Sequence, residues 1–229
     1  MEGIGVVVPA AGSGQRMGGR KKAFLRLAGE PVLLHTLRPF LAHPGVEVVV
    51  VALPASDADR PPTWLRELGT KVRCVAGGAT RMASVRKALE SLPPDLSVAV
   101  VHDGARPLIT QEIIDRCVEV ARSGIGAVAG WPVVDTLKEV DAEDRVLSTP
   151  DRSRFWRAQT PQAFPLTELL AAYREGEEAG VTATDDAGLF ALRGGEVRMV
   201  RGGAWNLKVT HPEDVALAEA LLADRGGSR

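Results

Sequence analysis

Cations and glycines gathered at the ends of apolar runs are the residues in this chain best suited to chemistry, and their types point to a phosphate-bearing ligand. The first run, Ile4 to Val8, opens into Pro9-Ala10-Ala11-Gly12-Ser13-Gly14-Gln15-Arg16-Met17-Gly18-Gly19-Arg20-Lys21-Lys22. Glycines there let backbone N–H groups converge on an anion, and Arg16 and Lys22 bracket the loop with charge that amide dipoles alone do not supply. A simple tight turn is the other reading of the glycines. A second loop, Gly77-Gly78-Ala79-Thr80-Arg81-Met82-Ala83-Ser84, opens a helix. Backbone at Gly78 can approach a nucleobase there with Ser84 near the helix start, or the loop is a glycine turn with Arg81 exposed. A third segment, Val101-His102-Asp103-Gly104-Ala105-Arg106-Pro107, sets Asp103 just past an apolar strand, on the side where open α/β sheets bind ligands. A carboxylate there suits Mg2+, which takes one or two carboxylates plus substrate phosphates; an Asp capping a turn is the structural alternative. The sequence assigns His102 no acid, thiol or hydroxyl partner, and it reads as packing or a turn contact.

Two familiar nucleotide loops are excluded. A dinucleotide fingerprint needs a third glycine where Met17 stands and an acid ending the second strand, which here runs Val51-Ala52-Leu53-Pro54. A P-loop needs Gly-Lys-Ser or Gly-Lys-Thr, and the chain has neither. Further polar groups at Asp135-Thr136, Arg152, Thr160, Thr184-Asp185-Asp186 and Lys208 each have a solvated-surface alternative when taken singly. Asp185 and Asp186 also suit the first turn of a helix, and Lys208 interrupts a short apolar stretch.

The elements that must position these groups are legible in the patterning. Continuous β-branched runs at Ile4–Val8, Val46–Leu53, Lys71–Val75, Ser97–Val101 and Ile125–Ala129 are what strands covered on both faces look like. Helical patterns at Val32–Ala42, Trp64–Leu68, Met82–Leu92 and Gln111–Arg122 alternate with them, predicting a Rossmann-like, doubly wound, mostly parallel α/β sheet. Between about residues 131 and 156 the rhythm breaks. Val133, Leu137, Val140, Val146 and Leu147 flank the polar turn Asp141-Ala142-Glu143-Asp144-Arg145, a projecting hairpin arm. Such an arm is marginal alone and needs a surface, either a second copy of the chain or its own sheet. Helices at Leu166–Gly180 and Thr184–Arg193, strands at Val197–Val200 and Asn206–Val209, and a helix from His211 to Asp224 complete the expectation.

The 229 residues, 45% apolar and 25% charged, suit one nucleotide-binding domain spanning 1–229. With 28 basic against 29 acidic residues the chain offers no global attraction for nucleic acid or an anionic membrane, so an anion must be held locally. No apolar run approaches the roughly 20 residues a membrane span needs. Cys74 and Cys117 lack metal or redox spacing, which with the N-terminal pattern suggests a cytoplasmic protein.

Taken together, PAAGSGQRM with a following Lys, GGATRMAS, VHDGARP, PVVDTLK, DRSRFWRAQTPQAF, TATDD and NLKVTHPEDVALAE resemble the 2-C-methyl-D-erythritol 4-phosphate cytidylyltransferases, in order and over nearly the whole chain. The resemblance implies transfer of CMP from CTP to methylerythritol 4-phosphate with Mg2+, in a homodimer whose arms complete each other's sites. It implies catalytic roles for Arg16, Lys22, Arg152 and Lys208. Pro9, Ala10, Ala11, Gly12 and Gly14 would cradle the triphosphate, while Gly78 and Ser84 face the cytidine. Asp103, as hydroxyl or metal contact, would stand with Gly104 and Arg106 at the substrate, Thr136 and Arg152 would reach the partner subunit's substrate phosphate, and Thr160 and Thr184 would add hydroxyl contacts. Two departures from the family pattern are Lys21, where Pro is usual, and Ala79, where many members carry an acid. Lys21 is the other candidate for the active lysine, but Lys22 fits the spacing to Phe24-Leu25. A cytidylyltransferase for ribitol 5-phosphate and a non-catalytic CTP-binding module are the competing readings.

Overall fold

In the computed structural model, which describes residues 3–12 and 24–227, the five β-branched runs are strands of one seven-stranded sheet. Along the chain the elements are β1 (Ile4–Pro9), β2 (Arg26–Leu27), β3 (Glu30–Pro31), α1 (Val32–Ala42), β4 (Val46–Leu53), α2 (Ala55–Asp59), α3 (Thr63–Arg66), β5 (Val72–Ala76), α4 (Arg81–Glu90), β6 (Val98–Val101), α5 (Gln111–Arg122), β7 (Gly126–Pro132), β8 (Glu139–Val140), β9 (Val146–Ser148), β10 (Trp156–Pro165), α6 (Leu166–Glu178), α7 (Asp186–Leu192), β11 (Val197–Arg201) and α8 (Pro212–Gly227). Across the sheet the order is β11-β7-β10-β6-β1-β4-β5. The chain winds outward from β1 through β4 to β5 and returns to β6 on the other side of β1, so a switch point lies between β1 and β6. Crevices at the carboxyl ends of strands beside such a point are where open α/β sheets bind ligands.

Helices cover both faces, which is why the strands carry no polar alternation. Val6 and Val8 of β1 pack with Leu33, Leu37 and Phe40 of α1 and Ile113 and Cys117 of α5. Val7, pointing the other way, joins Val85 and Leu89 of α4 and Leu169 and Tyr173 of α6. A smaller cluster of Leu27, Val32, Leu108, Val209 and Ala218 seats α8. That helix starts as its sequence suggests, with Asp214 Oδ2 accepting from the backbone N–H groups of Thr210 and His211 at 2.6 and 2.8 Å.

Two elements depart from the expected pattern. β10 runs antiparallel between β6 and β7, so the sheet is mixed although mostly parallel. Gln159, Pro161 and Gln162 interrupt its apolar character, which hides it from periodicity. Its pairing with β7 is broken between Ala158 and Gln162. There the Thr160 carbonyl accepts instead from Asn206 Nδ2 at 2.8 Å. Second, Asn206–Val209 is no strand. Val209 N–H reaches Ala105 O at 2.8 Å, while the Asn206 carbonyl is taken by the Arg106 side chain at 2.8 Å, so the segment is tied by one backbone bond and a guanidinium rather than a ladder.

The hairpin forms where expected. β8 and β9 pair only with each other, and every residue in them is exposed. Asp141 Oδ1 closes the tip by accepting from the N–H groups of Glu143 and Arg145 at 3.0 and 2.9 Å.

Candidate active site

The carboxyl end of β6 delivers His102 and Asp103 to the switch point. Asp103 is 7% exposed, and three cations surround its carboxylate. Lys208 Nζ lies 2.9 Å and Arg106 Nε 3.3 Å from Oδ2, and Arg81 Nε lies 3.6 Å from Oδ1. Burial pushes the acid up, but Lys208, Arg81 and Arg106 together more than reverse that and hold it well below the usual carboxylate range. Asp103 is therefore an anchor that gathers cations from three separate parts of the chain. This surround does not suit the direct metal ligand expected from sequence, because a divalent ion at Asp103 would displace Lys208 and face two guanidinium groups. Among the described residues no group of three or more His, Cys, Asp or Glu stands together to hold an ion.

Beneath the carboxylate a buried relay fixes the backbone that carries it. His102 Nε2 lies 3.2 Å from the Arg106 carbonyl, which can only accept, so Nε2 bears the proton. Nδ1 of the neutral ring then accepts from the Thr160 hydroxyl at 3.0 Å, and the Thr160 oxygen accepts from the Asp103 N–H at 3.0 Å. Burial pulls His102 down to about 4, against the opposing pull of the Arg106 carbonyl and the Asp103 charge. The Thr160 hydroxyl is thus turned inward, where it holds the Asp103 backbone N–H. His102 has the hydroxyl partner that no sequence spacing could supply.

The two glycine-rich loops meet alongside. A Cβ on Gly77 would stand 2.5 Å from that of Ala11, so the absence of a side chain lets the loops touch. Ser84 is buried and its hydroxyl is used within the loop, accepting from Gly78 N–H at 3.0 Å and donating to Thr80 O at 2.9 Å. Thr80 caps α4 by accepting from Ala83 N–H at 3.0 Å. Arg81, the first residue of that helix, donates through both Nη groups to Asp186 at 3.0 and 2.7 Å. Asp186 is fully buried and also accepts from the Tyr173 hydroxyl. Its neighbour Asp185 caps α7 through Gly188 N–H at 3.0 Å and accepts from Gln162 Nε2 at 3.0 Å.

The family model for 2-C-methyl-D-erythritol 4-phosphate cytidylyltransferase (IspD) matches residues 4–224. The chain belongs to that family. A protein of that name from Parasynechococcus marenigrum is 41% identical over 96% of this chain and 98% of its own length. The crystal structure of 2-C-methyl-D-erythritol 4-phosphate cytidylyltransferase from Thermus thermophilus superposes with a TM-score of 0.82 at 37% identity, covering 96% of this chain and 98% of that one. That of 4-diphosphocytidyl-2C-methyl-D-erythritol synthase from Anaerococcus prevotii gives 0.87 at 28% identity, covering 97% and 96%. The mostly parallel α/β fold and the cytidylyltransferase class expected from sequence are those of the family.

Within this cytidylyltransferase the expected site residues divide into three groups. Asp103, Arg106 and Lys208 converge, with Gly104 packed at the strand end against Leu33, Val8 and Ala10. Pro9 ends β1 and Ala10, Ala11 and Gly12 continue from it, with Ala10 N–H held by Ala52 O at 2.8 Å and Gly12 exposed. Gly14, Arg16, Lys21 and Lys22 lie outside the described residues. Thr136 and Arg152 sit exposed on the arm, where Arg152 donates to the Val134 carbonyl at 2.7 Å. Thr184 is exposed just before the α7 cap. Sequence reasoning missed Arg81, Asp186 and Tyr173. Among the described residues no helix is long and apolar enough to cross a membrane.

Proposed function

We propose that this cytidylyltransferase transfers CMP from CTP to 2-C-methyl-D-erythritol 4-phosphate at the carboxyl end of β6. The observation that carries the site assignment is the convergence of Lys208, Arg106 and Arg81 on Asp103. Two buried carboxylates, Asp103 and Asp186, face three cations, leaving one positive charge in excess beside the glycine-rich loops. A polyanion is the ligand such a cluster attracts.

An oxygen of the acceptor's phosphate monoester attacks the α-phosphorus of CTP, the bond to the β-phosphate oxygen breaks, and pyrophosphate leaves with that electron pair. The nucleophile is substantially ionised near neutral pH because its second pKa is about 6, so no strong base is needed. Two polyanions must instead be held in line and their charge offset. Lys208, aimed by Asp103, is assigned to phosphate, and Arg106 to the substrate. Arg16 and Lys22 are assigned to the α-phosphate, residues 10–14 to the triphosphate and the Gly78 backbone to the cytidine. Thr184, exposed before α7, is assigned a hydroxyl contact. The divalent cation used in chemistry of this class is assigned to the nucleotide's phosphates rather than to Asp103.

Dimerisation through the arm is supported by its apolar surface, with Val140, Val146 and Leu147 exposed on the two-stranded hairpin and Val134 and Phe155 exposed beside it. Thr136 and Arg152 would then reach the neighbouring subunit's substrate phosphate. Free cysteines at Cys74 and Cys117 support a reducing, cytoplasmic setting.

The deciding experiment is pyrophosphate release with Mg2+, crossing CTP, UTP, ATP and GTP against methylerythritol 4-phosphate, ribitol 5-phosphate and glucose 1-phosphate. Activity confined to CTP with methylerythritol 4-phosphate is expected. Preference for ribitol 5-phosphate would keep the mechanism and change the acceptor, and silence from folded protein would leave a CTP-binding module.

A further inference from the structure

Arg81 stands between two carboxylates and treats them differently. Both Nη groups are committed to Asp186 at 3.0 and 2.7 Å, so only Nε faces Asp103, at 3.6 Å, beyond hydrogen-bond reach. Asp103 Oδ2 is left to Lys208 and Arg106. A guanidinium fork matches a carboxylate better than an ammonium does, so a released Arg81 would outcompete Lys208 for Asp103. Asp186 prevents that release. It is fully buried, accepts from the buried Tyr173 hydroxyl, and lies at the start of a helix pinned to β10 by Gln162, which donates to Asp185 and accepts from Ala187 N–H at 3.0 Å.

We propose that Asp186, held by Tyr173, is a positioning residue for the transfer reaction: it keeps Arg81 off Asp103 and so leaves Asp103 to hold Lys208 and aim it at phosphate. This rests on the function proposed above. It assigns a catalytic consequence to two residues on α6 and α7 that stand behind the site rather than in it.

The test uses the full-length Asp186→Asn, Tyr173→Phe and Arg81→Met/Asp186→Leu variants, with turnover and structure as separate readouts. Asp186→Asn is expected to lower kcat by about tenfold or more while the KM for CTP moves less, since the loss is of alignment rather than of nucleotide contacts. Tyr173→Phe keeps the ring and removes the hydroxyl, with a smaller fall of about threefold in kcat expected. The double variant removes the competing fork, so it is expected to turn over faster than Asp186→Asn, and a double variant no better than the single one overturns the proposal. Crystal structures give the second readout. The Arg81 fork on Asp103 in Asp186→Asn supports the proposal, and a Lys208–Asp103 pair unchanged at 2.9 Å overturns it. Should Asp186→Asn fail to fold, Tyr173→Phe decides by the same two measurements, with unchanged kcat overturning the proposal. An inactive wild-type protein would refute the proposed function, and the crystallographic comparison would still decide this inference.

Discussion

Thr160 and His102 meet in the interior with the hydroxyl oxygen 3.0 Å from Nδ1 of the ring, and through that contact two distant segments of the chain fix one backbone amide, that of Asp103. Removing the hydroxyl as Thr160→Val keeps the shape and leaves Nδ1 and the Asp103 N–H without a partner. An unsatisfied buried group costs about 1–3 kcal/mol. Urea unfolding of Thr160→Val is expected to show a loss of that size or more, with Thr160→Ser close to wild type. Equal stability of all three would mean the relay holds nothing.

The same relay predicts an acid-sensitive fold. His102 is held at about 4 in the folded protein against an ordinary 6.5, so between those values the unfolded chain binds the proton and the folded chain does not. Stability is therefore full above pH 6.5 and falls as pH drops toward 4, by about 3 kcal/mol across the window. Asp103, held below its ordinary range by its three cations, adds a further loss beneath pH 3.8. Urea midpoints measured from pH 7 to 5, before most carboxylates titrate, isolate the histidine. His102→Gln is expected to flatten that stretch of the curve, and an unchanged slope would place the proton elsewhere.

Arg16 and Lys22 carry the prediction most specific to transfer chemistry. If they offset charge that develops at the α-phosphorus, they matter more in the transition state than in the ground state. Arg16→Ala or Lys22→Ala is then expected to lower kcat by about 3 kcal/mol in activation free energy while CTP affinity changes little. Steady-state kinetics paired with CTP titration by calorimetry separate the two effects. Parallel losses would make both residues simple binders, and Lys21→Ala serves to distinguish the neighbouring lysine.

What the sequence disclosed follows from which interactions are local. α1 at Val32–Ala42 and α5 at Gln111–Arg122 match their expected bounds because each lays a periodic apolar face on a sheet whose strands are themselves uniformly apolar. β10 was hidden because Gln159 and Gln162 spend their amides on tertiary partners, Gly203 O for one and Asp185 for the other. The types at the site were legible, since Asp103, Arg106 and Lys208 follow apolar stretches, but their roles were not. A threonine that touches substrate and one that pins a backbone amide look alike in sequence, and so Thr160 reads as a ligand contact. Asp186 reads as an acid favoured by a helix dipole. Its partner Arg81 is 105 residues away, and only the fold makes the pair.

The arm makes a prediction that no single-chain site can meet. Arg152 sits on it exposed, bonded to the Val134 carbonyl, while Lys208 is held at Asp103 in the body of the same chain. If arms interlock between two copies, each site draws Lys208 from one subunit and Arg152 from the other. Arg152→Ala and Lys208→Ala homodimers would each lack one of these at every site and are expected to be nearly inactive. Random reassortment of equal amounts gives half heterodimers, and each of these has one site with both residues intact, so about a quarter of wild-type activity should return. Co-refolding the two variants and assaying pyrophosphate release measures this, with sedimentation to verify the dimer. Leu147→Glu, which sets a charge in the arm's exposed apolar surface, should shift the protein toward monomer and abolish the complementation. No recovery from a verified heterodimer would mean that each chain completes its own site, with the arm folded against its own body.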